Sequence, residues 1–152
     1  MSVARDFFWM QEAIQLAKFA SDAEEVPVGA ILIDKEGYQI GAGWNCPIGD
    51  CDPSAHAEII ALRVGAKAKK NYRLIDSTLY VTLEPCLMCI GAIVHARVKR
   101  VVFGAYDTKS GAVESAFQLG TTTLLNHKPV YTGGVLAQEC GKLLSDFFKT
   151  RR

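Results

Sequence analysis

The sequence has no uncharged apolar run that approaches the roughly 18 residues needed to span a membrane. Its first residues also lack the apolar segment of a secretory signal peptide. Internal repeats and low-complexity tracts are missing too, and hydrophobic residues make up 49% of the 152 positions, which argues against a disordered chain. These absences predict one soluble globular domain over residues 1–152, located in the cytoplasm and without a membrane partner.

An excess of charge of one sign is also lacking. The 17 Lys and Arg residues are balanced by 16 Asp and Glu residues, which gives a formal net charge of +1. A strongly basic composition would point to nucleic acid, so its absence counts mildly against an RNA or DNA partner. A role on nucleic acid therefore needs more specific support than composition.

Cysteines are few and odd in number. The chain has five, and two of them form the pair Cys86-x-x-Cys89. An odd count with such a pair suits a reduced cytosolic protein better than a disulfide framework. We expect Cys46, Cys51 and Cys140 to be ordinary buried or loop cysteines.

Apolar periodicity divides the chain into helices and strands. An amphipathic helix at 6–20 comes first, and short β-branched runs then alternate with helical patterns. This alternation predicts an α/β fold, a three-layer α/β/α sandwich whose mixed, mostly parallel five-stranded sheet has an N-terminal antiparallel hairpin and helices on both faces. The predicted strands are 26–33, 38–43, 77–82, 100–104 and 129–132; the later helices are 55–68 (with Ser54 as N-cap), 85–97, 113–119 and 136–149.

Two short motifs open neighbouring predicted helices. His56-Ala57-Glu58 begins one helix, and Pro85-Cys86-Leu87-Met88-Cys89 begins the next. Cys86 and Cys89 are three residues apart, so on a helix their sulfurs project from one face and can share a metal ion. A helix N-terminus also favours the thiolate form that binds metals. If the two helix starts converge, they supply one imidazole and two thiolates.

Three protein ligands leave the fourth tetrahedral position to water, which is typical of a catalytic rather than a structural zinc ion. The ligand types favour Zn²⁺ over Mg²⁺ or Ca²⁺, although they do not distinguish it from iron. Zinc lowers the pKa of bound water from ~15.7 towards about 7, and a carboxylate is then needed to move protons. Glu58, two residues after His56, is suitably placed without being a ligand.

Simpler interpretations of the same residues stay open. A Cys-x-x-Cys pair alone is more often half of a structural zinc site or a redox pair, and a His-x-Glu motif alone is close to noise. A closed structural site needs a fourth ligand, for which Cys46, Cys51, His95 and His127 are available. The non-enzymatic alternative is therefore a zinc module that binds RNA or a protein.

Taken together, the metal motifs match the signature of zinc-dependent nucleobase deaminases. Over nearly its whole length the sequence resembles the bacterial tRNA-specific adenosine deaminases, a branch of the zinc-dependent cytidine/deoxycytidylate deaminase superfamily. The metal signature identifies only the superfamily, whereas the flanking stretches indicate the tRNA branch. Those stretches are residues 25–30, 43–45, 52–59, 72–74, 78–86, 100–105 and 143–148.

The resemblance implies a cytidine deaminase-like fold and hydrolytic deamination of adenosine to inosine at the wobble position (34) of a tRNA anticodon, with release of ammonia. It implies one Zn²⁺ per subunit on His56, Cys86 and Cys89, and Glu58 as the proton shuttle. It also implies a tRNA anticodon stem-loop as partner, no organic cofactor, and a homodimer in which each active site is completed near the partner subunit.

Further residues acquire substrate contacts only through this resemblance. Plainer roles compete with several of them, because Val28 and Leu83 also suit a core and Asn45 also suits a turn before Pro47. The implied contacts are Asn45 with the flipped base, Val28 and Leu83 with the purine faces, the Ala57 backbone with the purine edge, Asp107 with a neighbouring sugar, Phe148 with flanking nucleotides, and Lys149, Arg151 and Arg152 with phosphate.

The enzymatic alternative is a small-molecule deaminase of the same superfamily that acts on cytidine, deoxycytidylate or guanine. The flanking stretches and the basic C-terminal residues favour the tRNA branch over it.

Overall fold

A computed structural model describes residues 2–151 of the chain. Apart from the predicted helix at 113–119, the helices and strands follow the predicted order. No helix within residues 2–151 combines the length and apolarity that a membrane span requires. The elements are α1 (Val3–Asp22), β1 (Gly29–Ile33), β2 (Gln39–Trp44), α2 (Ala57–Lys69), β3 (Thr78–Leu83), α3 (Leu87–Ala96), β4 (Arg100–Ala105), a short 3₁₀ turn (Leu119–Thr121), β5 (Val130–Thr132) and α4 (Ala137–Lys149).

The strands form one mixed sheet in the order β2-β1-β3-β4-β5. β1 is antiparallel to both β2 and β3, whereas β3, β4 and β5 are mutually parallel. Among the described strands, β1 alone therefore runs in the reverse direction, which confirms the mixed sheet with its N-terminal hairpin. The carboxyl ends of β2, β3 and β4 share one edge of the sheet, so the loops after Trp44, Leu83 and Ala105 meet there. We call this the site edge.

Helices cover both faces of the sheet, as predicted. Successive residues of β3 point to opposite faces: Leu79 and Val81 join the core beneath α2 and α3, while Tyr80 joins the core beneath α1 and α4. Because each face has its own apolar layer, the structure is a three-layer α/β/α sandwich.

The start of α2 packs very closely on β2. A Cβ atom at Gly43 would lie 2.6 Å from the Ile60 Cβ, and one at Gly41 would overlap the Ala61 carbonyl oxygen. Only glycine allows this approach, since real Cβ atoms do not come so near. The two glycines thus let α2 rest against β2 and bring its first turn to the site edge.

The predicted helix at 113–119 is wrong. These residues form turns instead, because the Ala116 and Phe117 N–H groups donate to the Gly111 carbonyl oxygen and the Leu119 N–H to that of Ala112, which is not the i→i−4 pattern of an α-helix. The Glu84 carboxylate, supplied from a distant segment, accepts the N–H groups of Val113, Glu114 and Ser115 and stabilises these turns.

Several predicted boundaries also shift. Ser54 is not the N-cap of α2, since its hydroxyl donates to Asp52 Oδ1 at 2.7 Å and the helix begins after His56. α3 likewise begins after Cys86 and not at Pro85. Each shift places a predicted metal ligand directly at a helix start.

Candidate active site

His56 and Cys86 occupy the same position on two different helices. His56 is the N-cap of α2 and Cys86 the N-cap of α3, and both have extended backbone conformations. Neither side chain makes a capping hydrogen bond to its own helix, so imidazole and thiol project away from the first turn. Cys89 lies within the first turn of α3 and is buried. The two helix starts converge at the site edge.

The three predicted ligands meet in space. His56 Nδ1 lies 3.5 Å from Cys86 Sγ and 3.6 Å from Cys89 Sγ, and all three atoms fall within 4.8 Å of one another. A tetrahedral zinc ion with bonds of ~2.05 Å to nitrogen and ~2.3 Å to sulfur would separate those atoms by roughly 3.6 Å. The observed distances therefore fit a zinc ion bound by all three side chains.

No fourth His, Cys, Asp or Glu of residues 2–151 joins this group. The four alternatives for a fourth ligand are engaged or located elsewhere: Cys46 Sγ donates to Asp50 Oδ2 at 3.2 Å, Cys51 is exposed, His127 Nε2 contacts the Val98 carbonyl oxygen at 2.7 Å, and His95 lies late in α3. A three-ligand group of this kind leaves a coordination position for solvent, which is the arrangement of catalytic zinc sites.

The electrostatics of the group favour a thiolate. Hydrogen bonds from Cys89 and then His56 lower the pKa of Cys86 to about 4 despite its partial burial. The same contact, together with burial, raises the pKa of the Cys89 thiol. The interaction with Cys86 also raises the pKa of the His56 imidazole. The cluster thus holds negative charge on sulfur beside imidazole, as a site for a soft cation does.

Glu58 lies in the first turn of α2 and is only 4% exposed. Burial raises the pKa of its carboxyl to about 7, and the neighbouring Cys86 sulfur adds to the rise. A carboxyl group with a pKa near neutrality both accepts and donates protons readily, which is the property a proton shuttle needs.

Asn45 follows β2 and is bound directly to the start of α2. Its side-chain Oδ1 accepts the Ala57 N–H at 2.8 Å, while its own backbone N–H donates to the Val28 carbonyl oxygen at 3.1 Å. Within residues 2–151 the Asn45 side chain makes no other hydrogen bond. Val28 is buried in the core beneath α2. The structure therefore brings Asn45, Val28 and Ala57 together, and it turns the Asn45 oxygen towards the helix.

The other three predicted substrate residues line a separate groove of about 390 Å³ at the site edge. Leu83 at the end of β3, Asp107 after β4 and Phe148 of α4 all line it. Asp107 Oδ1 accepts the N–H groups of Lys109 and Ser110, both at 3.1 Å, so one of its oxygens stabilises the turn. We call this space, with Val26, Tyr106, Thr108, Lys109, Ser110 and Leu144 as its remaining lining, the 107 groove.

The basic C-terminal end is partly occupied by contacts within the protein. The Arg151 guanidinium lies 3.6 Å from the centre of the Phe147 ring and donates to the Phe147 carbonyl oxygen. Lys149 is exposed, and Arg152 lies outside the described residues.

Sequence reasoning missed two buried glutamates that organise the loops around the site. Glu25 accepts the N–H groups of Ile48 at 3.3 Å and Gly49 at 2.8 Å, and Glu84 accepts those of the segment after β4. The available signal was a carboxylate placed directly beside an apolar strand, where burial without a partner would be costly. Such a residue indicates a buried network of hydrogen bonds.

Comparisons with known proteins agree with this geometry. A family model for the cytidine and deoxycytidylate deaminase zinc-binding region matches residues 4–105. The tRNA-specific adenosine deaminase of Haemophilus influenzae is 56% identical over 143 residues, which cover 94% of this chain and 83% of that protein. The protein of the same name from Bacillus subtilis is 42% identical over 150 residues, covering 99% and 92%.

A solved structure leads to the same family. It comes from a study of A-to-I editing by tRNA:A34 deaminases at the wobble position of transfer RNA, and it matches with a TM-score of 0.85 and 38% identity. The match covers 89% of this chain and 97% of that one. The chain therefore belongs to the zinc-binding cytidine and deoxycytidylate deaminase family, within its branch of tRNA-specific adenosine deaminases.

Proposed function

We propose that this protein deaminates adenosine to inosine at wobble position 34 of a tRNA anticodon, with release of ammonia. The observation that carries the proposal is the combination of a three-ligand metal group with a buried carboxyl two residues after one ligand. The likeness to tRNA-specific adenosine deaminases over almost the entire chain supports this substrate above cytidine or guanine.

One Zn²⁺ ion per chain is held by His56, Cys86 and Cys89. The match between the observed distances and a tetrahedral N/S₂ geometry supports zinc in this position. When bound, zinc acts as a Lewis acid that brings the pKa of a water molecule from ~15.7 towards about 7.

Glu58 moves the protons of the reaction. Its carboxylate takes a proton from the attacking water and delivers it to N1 of the adenine, which makes C6 more electrophilic. The carboxylate then takes the proton of the new C6 hydroxyl and delivers it to the amine, so that the C6–N bond breaks, the C6 carbonyl forms, ammonia leaves and the carboxylate is restored. Its burial keeps bulk water away from this exchange.

The base is held by residues around the start of α2. The Asn45 amide NH₂, which faces no partner among the described residues, donates to an acceptor nitrogen of the purine. Val28 and Leu83 pack on the purine faces, and the Ala57 backbone lies at the purine edge. In the 107 groove, Asp107 contacts a neighbouring sugar and Phe148 the flanking nucleotides, with basic C-terminal residues near phosphate.

The protein acts as a cytoplasmic homodimer. An apolar groove of about 340 Å³ between α2 and α3 is lined by Leu62, Met88 and Ala92, among others, and Leu87 beside it is also exposed. Met88, which lines this groove, lies between the ligands Cys86 and Cys89 in the sequence. A second copy seated there would cover apolar surface and complete the surroundings of the site.

The substrate assignment is tested with a panel of RNAs and small molecules. Purified protein is incubated with an anticodon stem-loop that has adenosine at position 34, the same loop with adenosine moved by one position, free adenosine, cytidine and guanine. We expect inosine and ammonia from the first RNA alone. Rapid turnover of a free base or nucleoside, without conversion of the stem-loop, would establish the small-molecule alternative.

The assigned role of Glu58 is tested by Glu58→Ala. Since general acid–base catalysis typically contributes roughly 10²–10⁴-fold, kcat on the stem-loop should fall by at least about 100-fold. Metal analysis should still find one zinc per chain, because Glu58 is not a ligand. A variant with near wild-type kcat would contradict the proton-shuttle role, and loss of zinc in parallel would make Glu58 a structural residue instead.

A further inference from the structure

We propose that Glu84 is a positioning residue that fixes the 107–115 segment, and with it Asp107, in the geometry that binds the substrate. The proposal rests on the proposed function, because the segment forms one wall of the 107 groove. Glu84 itself touches neither the metal group nor, in this proposal, the substrate.

The Glu84 carboxylate collects five donors from one segment. Its Oε1 accepts the Asp107 N–H at 3.1 Å and the Ser115 hydroxyl in a short hydrogen bond. Its Oε2 accepts the N–H groups of Val113, Glu114 and Ser115 at 3.1, 2.8 and 3.0 Å. Both ends of the 107–115 segment are therefore attached to one side chain.

The 107–115 segment is also attached to the residues just after β3, where the metal ligand Cys86 lies. The Ala112 N–H donates to the Pro85 carbonyl oxygen at 2.8 Å, and Gly111 forms an isolated antiparallel bridge with Cys86. A Cβ atom at Gly111 would overlap the Glu84 carboxylate, so the backbone lies directly on it. Glu84 thus stands between Leu83, which lines the 107 groove, and Cys86, which belongs to the metal group.

Glu84 is 2% exposed and has no ion-pair partner among the described residues. All five of its hydrogen-bond partners are donors, four backbone N–H groups and the Ser115 hydroxyl, so both carboxylate oxygens act as acceptors. The charged form is therefore the one that holds the segment, through four N–H groups and one hydroxyl. Removing the charge should release the segment without opening the core.

The substitution Glu84→Gln should affect the two ends of the 107–115 segment differently. Three N–H groups face Oε2, whereas Oε1 faces one N–H and a hydroxyl that can rotate to accept. The glutamine oxygen should therefore take the Oε2 position, which leaves its NH₂ group opposite the Asp107 N–H. The variant should loosen Asp107 while residues 113–115 stay attached.

The experiment compares wild type, Glu84→Gln and Ser115→Ala, with Asp6→Asn as a matched control. Asp6 is also a buried carboxylate, but it bonds to Tyr80 and to Arg100 at the opposite end of β4. Hydrogen exchange of the Asp107–Gly111 amides, zinc content, and kcat and KM on the stem-loop are measured for each protein. Hydrogen exchange needs no substrate, so it shows whether Glu84 holds the segment even if the wild-type protein does not convert the stem-loop. Failure of the wild-type protein to convert the stem-loop would refute the proposed function and not the role of Glu84.

For Glu84→Gln we expect faster exchange at Asp107–Gly111, one zinc per chain, kcat within about twofold of wild type, and KM raised roughly tenfold, the equivalent of one lost charged hydrogen bond. Ser115→Ala should also speed exchange and raise KM, each by about threefold. If Glu84→Gln does not fold, this variant tests the proposal in its place. Asp6→Asn should lower the melting temperature and leave both readouts unchanged. Unaltered exchange and KM in both segment variants, or a fall in kcat that follows zinc loss, would overturn the proposal.

Discussion

At the scale of single residues, Asn45 combines two roles that one substitution can separate. Its oxygen accepts the Ala57 N–H at the start of α2, and its NH₂ group is assigned to the purine. Asn45→Asp keeps an oxygen for the helix and replaces the donor by a second acceptor. We expect the melting temperature to stay close to wild type while kcat/KM on the stem-loop falls roughly ten- to hundredfold, because an acceptor then faces an acceptor.

Asn45→Ala is the companion variant. It removes both roles, so its free energy of unfolding should also fall by about 1 kcal/mol, as for a lost helix cap. Chemical denaturation and stem-loop kinetics measure the two effects. If Asn45→Asp has wild-type kinetics, the side chain serves only to cap α2.

At the scale of secondary-structure elements, α1 is connected to the sheet through Asp6. The carboxylate accepts two bonds from Arg100 at 2.8 Å and one from the Tyr80 hydroxyl at 2.9 Å. Burial opposes ionisation, but the hydrogen bonds from Arg100 and Tyr80 prevail and lower the pKa of Asp6. The charged carboxylate thus holds the first helix against β3 and β4.

A pH-dependent stability follows from this connection. Because the folded pKa lies below the unfolded value of about 3.9, the contribution of Asp6 is present above that value and is lost as the pH falls through the folded pKa. Asp6→Asn should lower the free energy of unfolding at pH 7 by about 1–3 kcal/mol. Urea denaturation between pH 7 and pH 3 should show the gap to wild type closing at the acid end, whereas a constant gap would exclude titration of Asp6 as its cause.

The helices and strands that could be predicted from sequence are those whose formation is determined by residues close together in the chain. β3 is an apolar β-branched run, and α2 and α3 have their own helical period, so their existence followed from neighbours in the chain. The ligand trio was predictable for the same reason, because a spacing of three and a position at a helix start are local features. Their convergence needed only the rule that parallel strands share a carboxyl edge.

The 113–119 segment could not be predicted in this way. Its first three N–H groups donate to Glu84, which is 29 to 31 residues away in sequence. Glu25 likewise stabilises a loop 23 and 24 residues further along. A buried carboxylate binds backbone groups that only the tertiary fold brings near. The residues next to it in the sequence therefore do not reveal which backbone groups it will bind.

At the scale of the whole molecule, the proposed dimer depends on the groove between α2 and α3. Met88→Asp places a charge in that groove at an early position of α3, where the helix N-terminus tolerates an acidic side chain. Sedimentation should then give the mass of one chain, where wild type gives that of two. The single domain over 1–152 stays a prediction at this scale.

Tyr38→Asp is the control for the dimer experiment. Tyr38 is, like Met88, a large exposed hydrophobic residue, but it lies at the turn of the β1–β2 hairpin and not in the groove. This variant should keep the mass of two chains. A wild-type protein with the mass of one chain would disprove the homodimer, and zinc analysis of Met88→Asp checks that the metal group is intact.

The reversed direction of β1 has a practical consequence. Because β1 alone of the described strands runs the other way, its turn at Asp34–Gly37 lies with the starts of β3 and β4, across the sheet from the helix starts that gather the metal ligands. Five or six residues of extended chain separate the two edges by roughly 15–20 Å. A tether introduced at this turn would immobilise the enzyme with its catalytic side facing solution, where a long folded RNA can still reach it.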